Sequence, residues 1–464
     1  MKRIYLVLVI VLCLGLVACG KNTAVITTSD LTGANGQVVL LNTDDLTQPP
    51  VTFEGLNGLS PQVIVSPDGS KAYVCQAPYP NKGSDKILII DLITQARTEV
   101  TIKAYPFPDD GRSIWDMALS ADGTKLVVGT WSVFNGGHIE VYDTSTLGLT
   151  ISFKLFSGLT DPYKFGNKLV LDPKHDVVYV ITTTGIIGTN PQVRGFNLSN
   201  GSIFDSGKEI ESDEIITYGN YDIAVAPQGD LLLAVSKKIF PFKITDTGLE
   251  ALNPIEGKSG DTFYGKTKIL FSKNWGRVYV NSAGFYLPVL FNLGGSAYCL
   301  DKAKILANDP NPYVFSLVDF VHDDLIKWIV GLLSQDIENI IDPAQLYGIA
   351  DSAIEGDTCY MVIASVASTA LDLTGLQGGK YILAIFKTLP LVGNVWVGGK
   401  IIDWYPSNIG VNPANNTLIL SYFWRNQVGV YKRNPVLGWP LTSEKLIDIG
   451  NYPRALDIST QKNQ

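Results

Sequence analysis

Apolar and polar residues alternate along nearly the whole chain, in short runs broken by Pro, Asp, Gly or Asn. The segments QVIVSPDGSKAYV (62–74), DMALSADGTKLVV (116–128), KLVLDPKHDVVYV (168–180), DIAVAPQGDLLLA (222–234), KILFSKNWGRVYV (268–280), YGIADSAIEGDTCYMV (347–362) and NIGVNPANNTLIL (408–420) share one plan. Each reads as a strand, a turn and a second strand, the pattern of a β-hairpin. Seven residues after the position that leads the turn stand Tyr73, Val127, Tyr179, Leu233, Tyr279, Tyr360 and Ile419, all strand formers. A third strand recurs as ILIIDLIT (87–94), IEVYDTST (139–146), VRGFNLSN (193–200), FPFKITD (240–246), VLFNLGG (289–295), ILAIFKTL (382–389) and VGVYKRNP (428–435). A weaker fourth follows, as in TEVTIKA (98–104) and ISFKLFS (151–157). Four antiparallel strands in a repeat of about 50 residues make a blade of a β-propeller.

The chain ends complete the count. RALDIST (454–460) reads as one more first strand, and its missing partners are TAVITTS (23–29), QVVLLNTDD (37–45) and PVTFEG (50–55) at the other end. A blade built from both termini would close the ring and cover its edges. The expected fold is therefore all-β, a single propeller over residues 19–464 with eight blades. Seven is the alternative, because the repeat around Ala353 is the poorest match.

Between Ile305 and Tyr347 the alternation lapses. There Leu325, Ile329, Leu332, Leu333, Ile337, Ile340 and Ile341 recur at helical spacing, Asp323 or Asp324 can cap the start and Pro343 follows the end. This predicts a helical insertion over 307–346, with its apolar face packed on the propeller or docked to a partner or membrane.

The first 18 residues have the layout of an export signal: Lys2 and Arg3, an apolar run over residues 4–14, then Leu16, Val17 and Ala18 ahead of Cys19. The run is shorter than the roughly 20 residues a bilayer span requires. Leu-Val-Ala-Cys resembles the bacterial lipoprotein signal. The resemblance implies cleavage before Cys19, lipid on its sulfur and amine, a membrane anchor in the cell envelope and, with Gly20 following, the outer membrane of a two-membraned host. An ordinary secretory signal with an incidental cysteine is the alternative.

Composition fits an exported β-protein: charged residues are 17% and glycines number 44, against a usual charged share of about a quarter. A net charge of −8 argues against nucleic acid as a partner. Beyond Cys19, the thiols Cys75, Cys299 and Cys359 allow at most one disulfide, with Cys299 and Cys359 the candidate pair; three buried free thiols are the alternative. The phrases SPDGSKAYV and IEVYDTST resemble the YVTN-type repeats of bacterial propellers, relatives of the WD40 and quinoprotein repeats. That resemblance carries the fold rather than a reaction.

Motifs with chemistry mostly fail. GDTFYGKT (260–267) fits the P-loop expression, yet KILFSKN after it reads as a strand where a phosphate site needs a helix. His138, His175 and His322 lack zinc spacing, no Gly-x-Ser-x-Gly elbow occurs, and the acidic run 208–215 reads as a solvated loop before a calcium site. No catalytic residue, metal site or cofactor is expected.

Position is then the remaining guide. In a propeller, the loops joining second to third strands and blade to blade share the face around the channel mouth. These loops hold Arg112, Trp115 and Asp116; Trp131, Phe134 and Asn135; Phe285 and Tyr286; Trp404 and Tyr405; Trp424, Arg425 and Asn426. Aromatics, arginines and amides are what interfaces and polar-ligand sites use, although packing between blades also takes aromatics. The expected function is a membrane-anchored binding or scaffolding module with a macromolecular partner on this face. A propeller hydrolase, lactonase-like or acting on glycans, and a small-ligand-binding lipoprotein are the alternatives.

Overall fold

The computed structural model describes residues 22–30, 32–56, 62–75, 85–102, 113–132, 136–155, 164–184, 191–210, 221–236, 238–257, 267–274, 276–282, 286–287, 291–292, 297–316, 347–365, 381–389, 393–436 and 441–458. Eight four-stranded antiparallel sheets form the blades of a propeller. Blade 1 comprises Gln62–Val65, Lys71–Cys75, Lys86–Asp91 and Arg97–Thr101; blade 2 comprises Ser113–Leu119, Lys125–Ser132, Gly136–Asp143 and Leu149–Lys154. Blade 3 begins at Lys164–Leu171, blade 4 at Asp222–Val225, blade 5 at Thr267–Phe271, blade 6 at Tyr347–Glu355 and blade 7 at Pro406–Asn412. Blade 8 joins both ends: Tyr452–Ile458 pairs antiparallel with Thr23–Ser29, which is followed outward by Gly36–Asn42 and Val51–Leu56. Each first strand touches the first strand of the next blade, from blade 1 round to blade 8 and back to blade 1, so the ring is closed.

The alternation in the sequence is what builds this ring. Successive side chains leave a strand on opposite faces, and each face of a blade meets a neighbouring blade. Eight separate apolar cores result, each lying between two adjacent blades. The column read from the repeats supplies one residue to successive cores: Tyr73 between blades 1 and 2, Val127 between 2 and 3, Tyr179 between 3 and 4, and so on to Ile419 between 7 and 8. Tyr73, Val127, Tyr179, Leu233, Tyr279, Tyr360 and Ile419 are all buried.

Blade 5 departs from the expected strands. Its third strand is Ala297–Asp301, not residues 289–295, and Phe291–Asn292 instead pairs with Tyr286–Leu287 in a small separate hairpin. The choice follows burial: Ala297, Tyr298, Cys299 and Leu300 are wholly inaccessible. Asp301 then accepts amide hydrogens from Ala303 and Lys304 and so caps the short helix Lys302–Leu306. Tyr313–Ser316 is the fourth strand of this blade, so the expected insertion at 307–346 starts too early. Four strand residues are too short a run to read as alternation. Residues 317–346 lie outside the described residues, and so do residues 1–21 with Cys19. Thr267 opens a strand, as the P-loop argument required. Among the described residues, no helix is long and apolar enough to cross a membrane.

Cys75, Cys299 and Cys359 are free and buried. Cys299 and Cys359 share the core between blades 5 and 6 without being bonded to one another. Burial pushes the Cys75 and Cys299 thiols up to about 12, and Cys359 well above its ordinary value.

Candidate functional site at the channel mouth

The turns that join first to second strands lie on one face, and the second-to-third connections lie with the blade-to-blade loops on the other. The expected site residues divide accordingly. Arg112 and Asn135 lie outside the described residues. Tyr286 pairs through its backbone with Asn292. Trp131 is the next-to-last residue of the second strand of blade 2, opposite Gly137.

Trp115 and Asp116 sit on the first strand of blade 2, not in a loop. A bulge between Ile114 and Asp116 sets Trp115 out of register. Its ring fills the space over two glycines: a Cβ on Gly129 or on Gly166 would come within 2.3 Å of it. Trp115 therefore packs blade 2 on blade 3, which is the bland reading of an aromatic in a propeller.

Trp424 and Arg425 do stand at the mouth, and the fold gathers others around them. They lie in the one-turn helix Phe423–Arg425 between the second and third strands of blade 7, closed by Asn426 in the left-handed conformation (φ 53°). Phe423 stacks on Tyr452 of blade 8 with centroids 5.2 Å apart. Trp424 meets Phe423 edge-on at 4.7 Å and Tyr452 at 6.3 Å, and remains 36% exposed. The Arg425 guanidinium carbon lies 3.3 Å from the ring centroid of Trp404, in the connection from blade 6. Arg454, over Phe423 at 5.0 Å, donates to Ser29 Oγ at 2.7 Å and to the Asp30 carbonyl at 2.6 Å, tying the cluster to blade 8. The turn is thus fixed from three blades. Tyr452, Phe423 and Arg454 carried no signal in the sequence beyond their place next to loops.

Below the mouth, the channel wall carries a set of charges of which sequence reasoning singled out only Asp116. Asp116 Oδ2 accepts the Leu169 amide at 2.9 Å, Asp222 Oδ2 the Ile269 amide at 2.8 Å, Asp351 Oδ2 the Ile409 amide at 3.0 Å and Asp457 Oδ2 the Val65 amide at 2.8 Å. In each case a carboxylate of an even-numbered blade holds an amide on the first strand of the following blade. First strands are the inner edges of their sheets, so those amides have no ladder partner without it. Cations stand between three of the acids: Lys168 on blade 3 lies between Asp116 and Asp222, and Lys268 Nζ on blade 5 reaches Asp351 Oδ1 at 3.1 Å. Asp116, and then Asp222, hold the Lys168 ammonium above its usual value against the opposing effect of burial. Burial pushes Asp222 up to about 6 despite the pull of Lys168, and Asp457 up to about 6 despite its two amide hydrogen bonds.

Fold and site together define an eight-bladed β-propeller with a charged throat and an aromatic, arginine-bearing mouth. No family model matches the chain, and no curated protein matches it. Its structure is similar to that of dihydro-heme d1 dehydrogenase NirN in complex with DHE, with a TM-score of 0.58 and 13% identity over 95% of this chain and 75% of that one. It is also similar to the periplasmic gluconolactonase of Pseudomonas aeruginosa (TM-score 0.50, 13% identity, 95% of this chain and 99% of that one). A eukaryotic initiation factor gives a TM-score of 0.50 with 11% identity over 96% of this chain and all of that one. Such identities carry the fold alone.

Proposed function

We propose that this protein is an exported lipoprotein, held at a membrane of the cell envelope through acylated Cys19, whose channel-mouth face binds a macromolecular partner. The observation that carries the binding role is the exposed Trp424 beside Arg425, both held rigidly by Phe423, Tyr452 and Trp404. Rigid aromatics and arginines at a surface are what binding hot spots are made of. The anchor rests on the signal-like N-terminus and Leu-Val-Ala-Cys. With Gly20 after the cysteine, the outer membrane is the expected address in a two-membraned host. Two lipid attachments would hold stably where one would not.

The test is co-purification of the full chain in mild detergent from its own cells, crosslinked before lysis. A partner should be recovered with the wild type and lost with Trp424→Ala. Recovery of the protein alone in both cases counts against the binding role. Labelling with radioactive palmitate, abolished by Cys19→Ala, tests the anchor.

A hydrolase acting on lactones or glycans is the second reading, favoured by the throat. There Asp222, pushed up to about 6, has the affinity for a proton that a general acid or base near neutrality requires, and one protein of this fold is a gluconolactonase. Turnover on a lactone and glycoside panel that disappears in Asp222→Asn would support it; a blank across the panel retires it.

A further inference from the structure

The described residues include six arginines, and the fold uses five of them. Arg97 donates to the Glu54 carbonyl and Glu99, Arg194 to the Leu155 and Ser206 carbonyls, Arg277 to Asp301, Arg433 to Glu355 and Tyr360, and Arg454 to Ser29 and Asp30. Arg425 alone donates to no protein oxygen among the described residues; its guanidinium carbon lies over the Trp404 ring, 3.3 Å from the centroid. Stacking orients the guanidinium plane and leaves its N–H edge free. An arginine held in this way has lost much of its conformational freedom while keeping its donor fork unspent.

Two neighbours shape the site. Trp424, adjacent in the same turn, offers the most exposed large aromatic surface among the described residues. Asn426, one residue on, closes the turn in the left-handed conformation. We infer that Arg425 and Trp404 form a carboxylate-recognition site, and that the partner is a protein presenting an acidic side chain or C-terminal carboxylate beside an apolar residue. The guanidinium fork takes both carboxylate oxygens, and Trp424 covers the apolar neighbour. A peptide supplies both groups in one short stretch. The inference rests on the binding role proposed for the mouth face and specifies its chemistry.

The test uses the detergent-solubilised full chain against immobilised short peptides that carry Glu or Asp beside Leu or Phe. The same peptides with Gln or Asn, and oligogalacturonate as a non-peptide carboxylate, are the comparison probes. The acidic peptides should bind at least about tenfold more tightly than their amide versions, the effect of one charge-assisted hydrogen-bonded pair. Arg425→Gln should remove that preference, and Arg425→Lys, which keeps the charge but not the fork, should retain only part of it. Because Arg425 is exposed, both variants should melt as the wild type does. Equal binding of acid and amide peptides, an unchanged preference in Arg425→Gln, or binding of oligogalacturonate alone would each overturn the inference. Failure here is distinguishable from failure of the mouth-face role. If Trp424→Ala loses the cellular partner while Arg425→Gln keeps it, the carboxylate site falls and the face stands. If neither variant loses it, both fall.

Discussion

Replacing Asp222 by Asn should stabilise the protein above neutrality, against the usual effect of deleting a buried hydrogen-bonding acid. The carboxyl titrates at about 6 in the folded chain and at its ordinary 3.8 when unfolded. The folded state therefore holds the proton more tightly, and stability falls as pH rises from about 4 to about 6, then levels off. At about 1.4 kcal/mol for each pH unit between the two values, the ionised group costs about 3 kcal/mol. The side chain lines the channel and is partly accessible, so solvent screening reduces this to about 1.5 kcal/mol. Asparagine keeps an oxygen that can still accept the Ile269 amide, now at 2.8 Å from the acid, and Lys168 keeps Asp116, its larger electrostatic partner. Urea unfolding followed by tryptophan fluorescence at pH 4.5 and pH 7.5 measures the difference. The variant should gain about 1.5 kcal/mol over wild type at the higher pH and little at the lower. An equal loss at both would refute the reasoning, because it would show that the charged carboxylate is satisfied by Lys168 and stabilises the throat.

Asp457→Asn should behave in the same direction, since its carboxyl is also pushed up to about 6, and the double variant should flatten the fall between pH 4 and 6 seen in thermal melting. Gly166→Ala should cost about 1–3 kcal/mol in urea unfolding, as overpacking does, because its Cβ would lie 2.3 Å from the Trp115 ring; paired with Trp115→Leu, much of that cost should disappear. Ending the chain before Tyr452 should abolish cooperative unfolding, because Thr23–Ser29 loses the strand it pairs with and the ring opens. Cys75, Cys299 and Cys359 should ignore a thiol reagent at pH 8 in the native protein and react on unfolding; fast native reaction of any of them would contradict their burial.

The blades were legible because each is a local matter. A hairpin announces itself through alternation and turn residues within about a dozen positions, and the closing blade followed from strands left over at both ends. Blade 5 was misread where two short apolar runs, 289–295 and 297–301, competed and only burial decides between them. The throat was written in the repeats: Asp116, Lys168, Asp222, Lys268 and Asn408 open five of the aligned segments, in a column that a buried strand would fill with apolar residues. What sequence could not show is that each acid meets an amide of the next blade, 53, 47 and 58 residues on for Asp116, Asp222 and Asp351 and across the closure of the ring for Asp457. Asp457 stands two residues deeper than the rest, a difference that strand pairing with Val25 reveals. At the mouth, Trp404, Trp424 and Arg425 were placed by topology alone, whereas Trp115 was assigned to a loop because a bulge cannot be read from alternation.

The start of the described chain bears on how an anchored propeller would stand. Asn22 donates to Asp44 through its amide at 3.1 Å and its side chain at 2.8 Å, and Asn415 donates to Asp44 at 3.0 Å, so residue 22 is fixed on the face of the first-to-second-strand turns. From Cys19 to Asn22 the chain can reach only about 11 Å. A lipid on Cys19, as proposed, would therefore hold this face toward the bilayer and turn Trp424 and Arg425 away from it. The same face carries Asp44, Asp45, Asp68, Asp122 and Asp143, each held below the usual carboxylate value, mostly by turn hydrogen bonds, with Asp143 down at about 2. They remain charged at every physiological pH, and the same face also carries cations such as Lys125, Arg277, Lys302 and Arg433, paired with other acids. In vesicles, cleavage at the blade-1 turn (67–69) should thus be blocked, while the turn at Trp424 stays accessible. Blocking at Trp424 with an open blade-1 turn would reverse the orientation and place the mouth against the membrane.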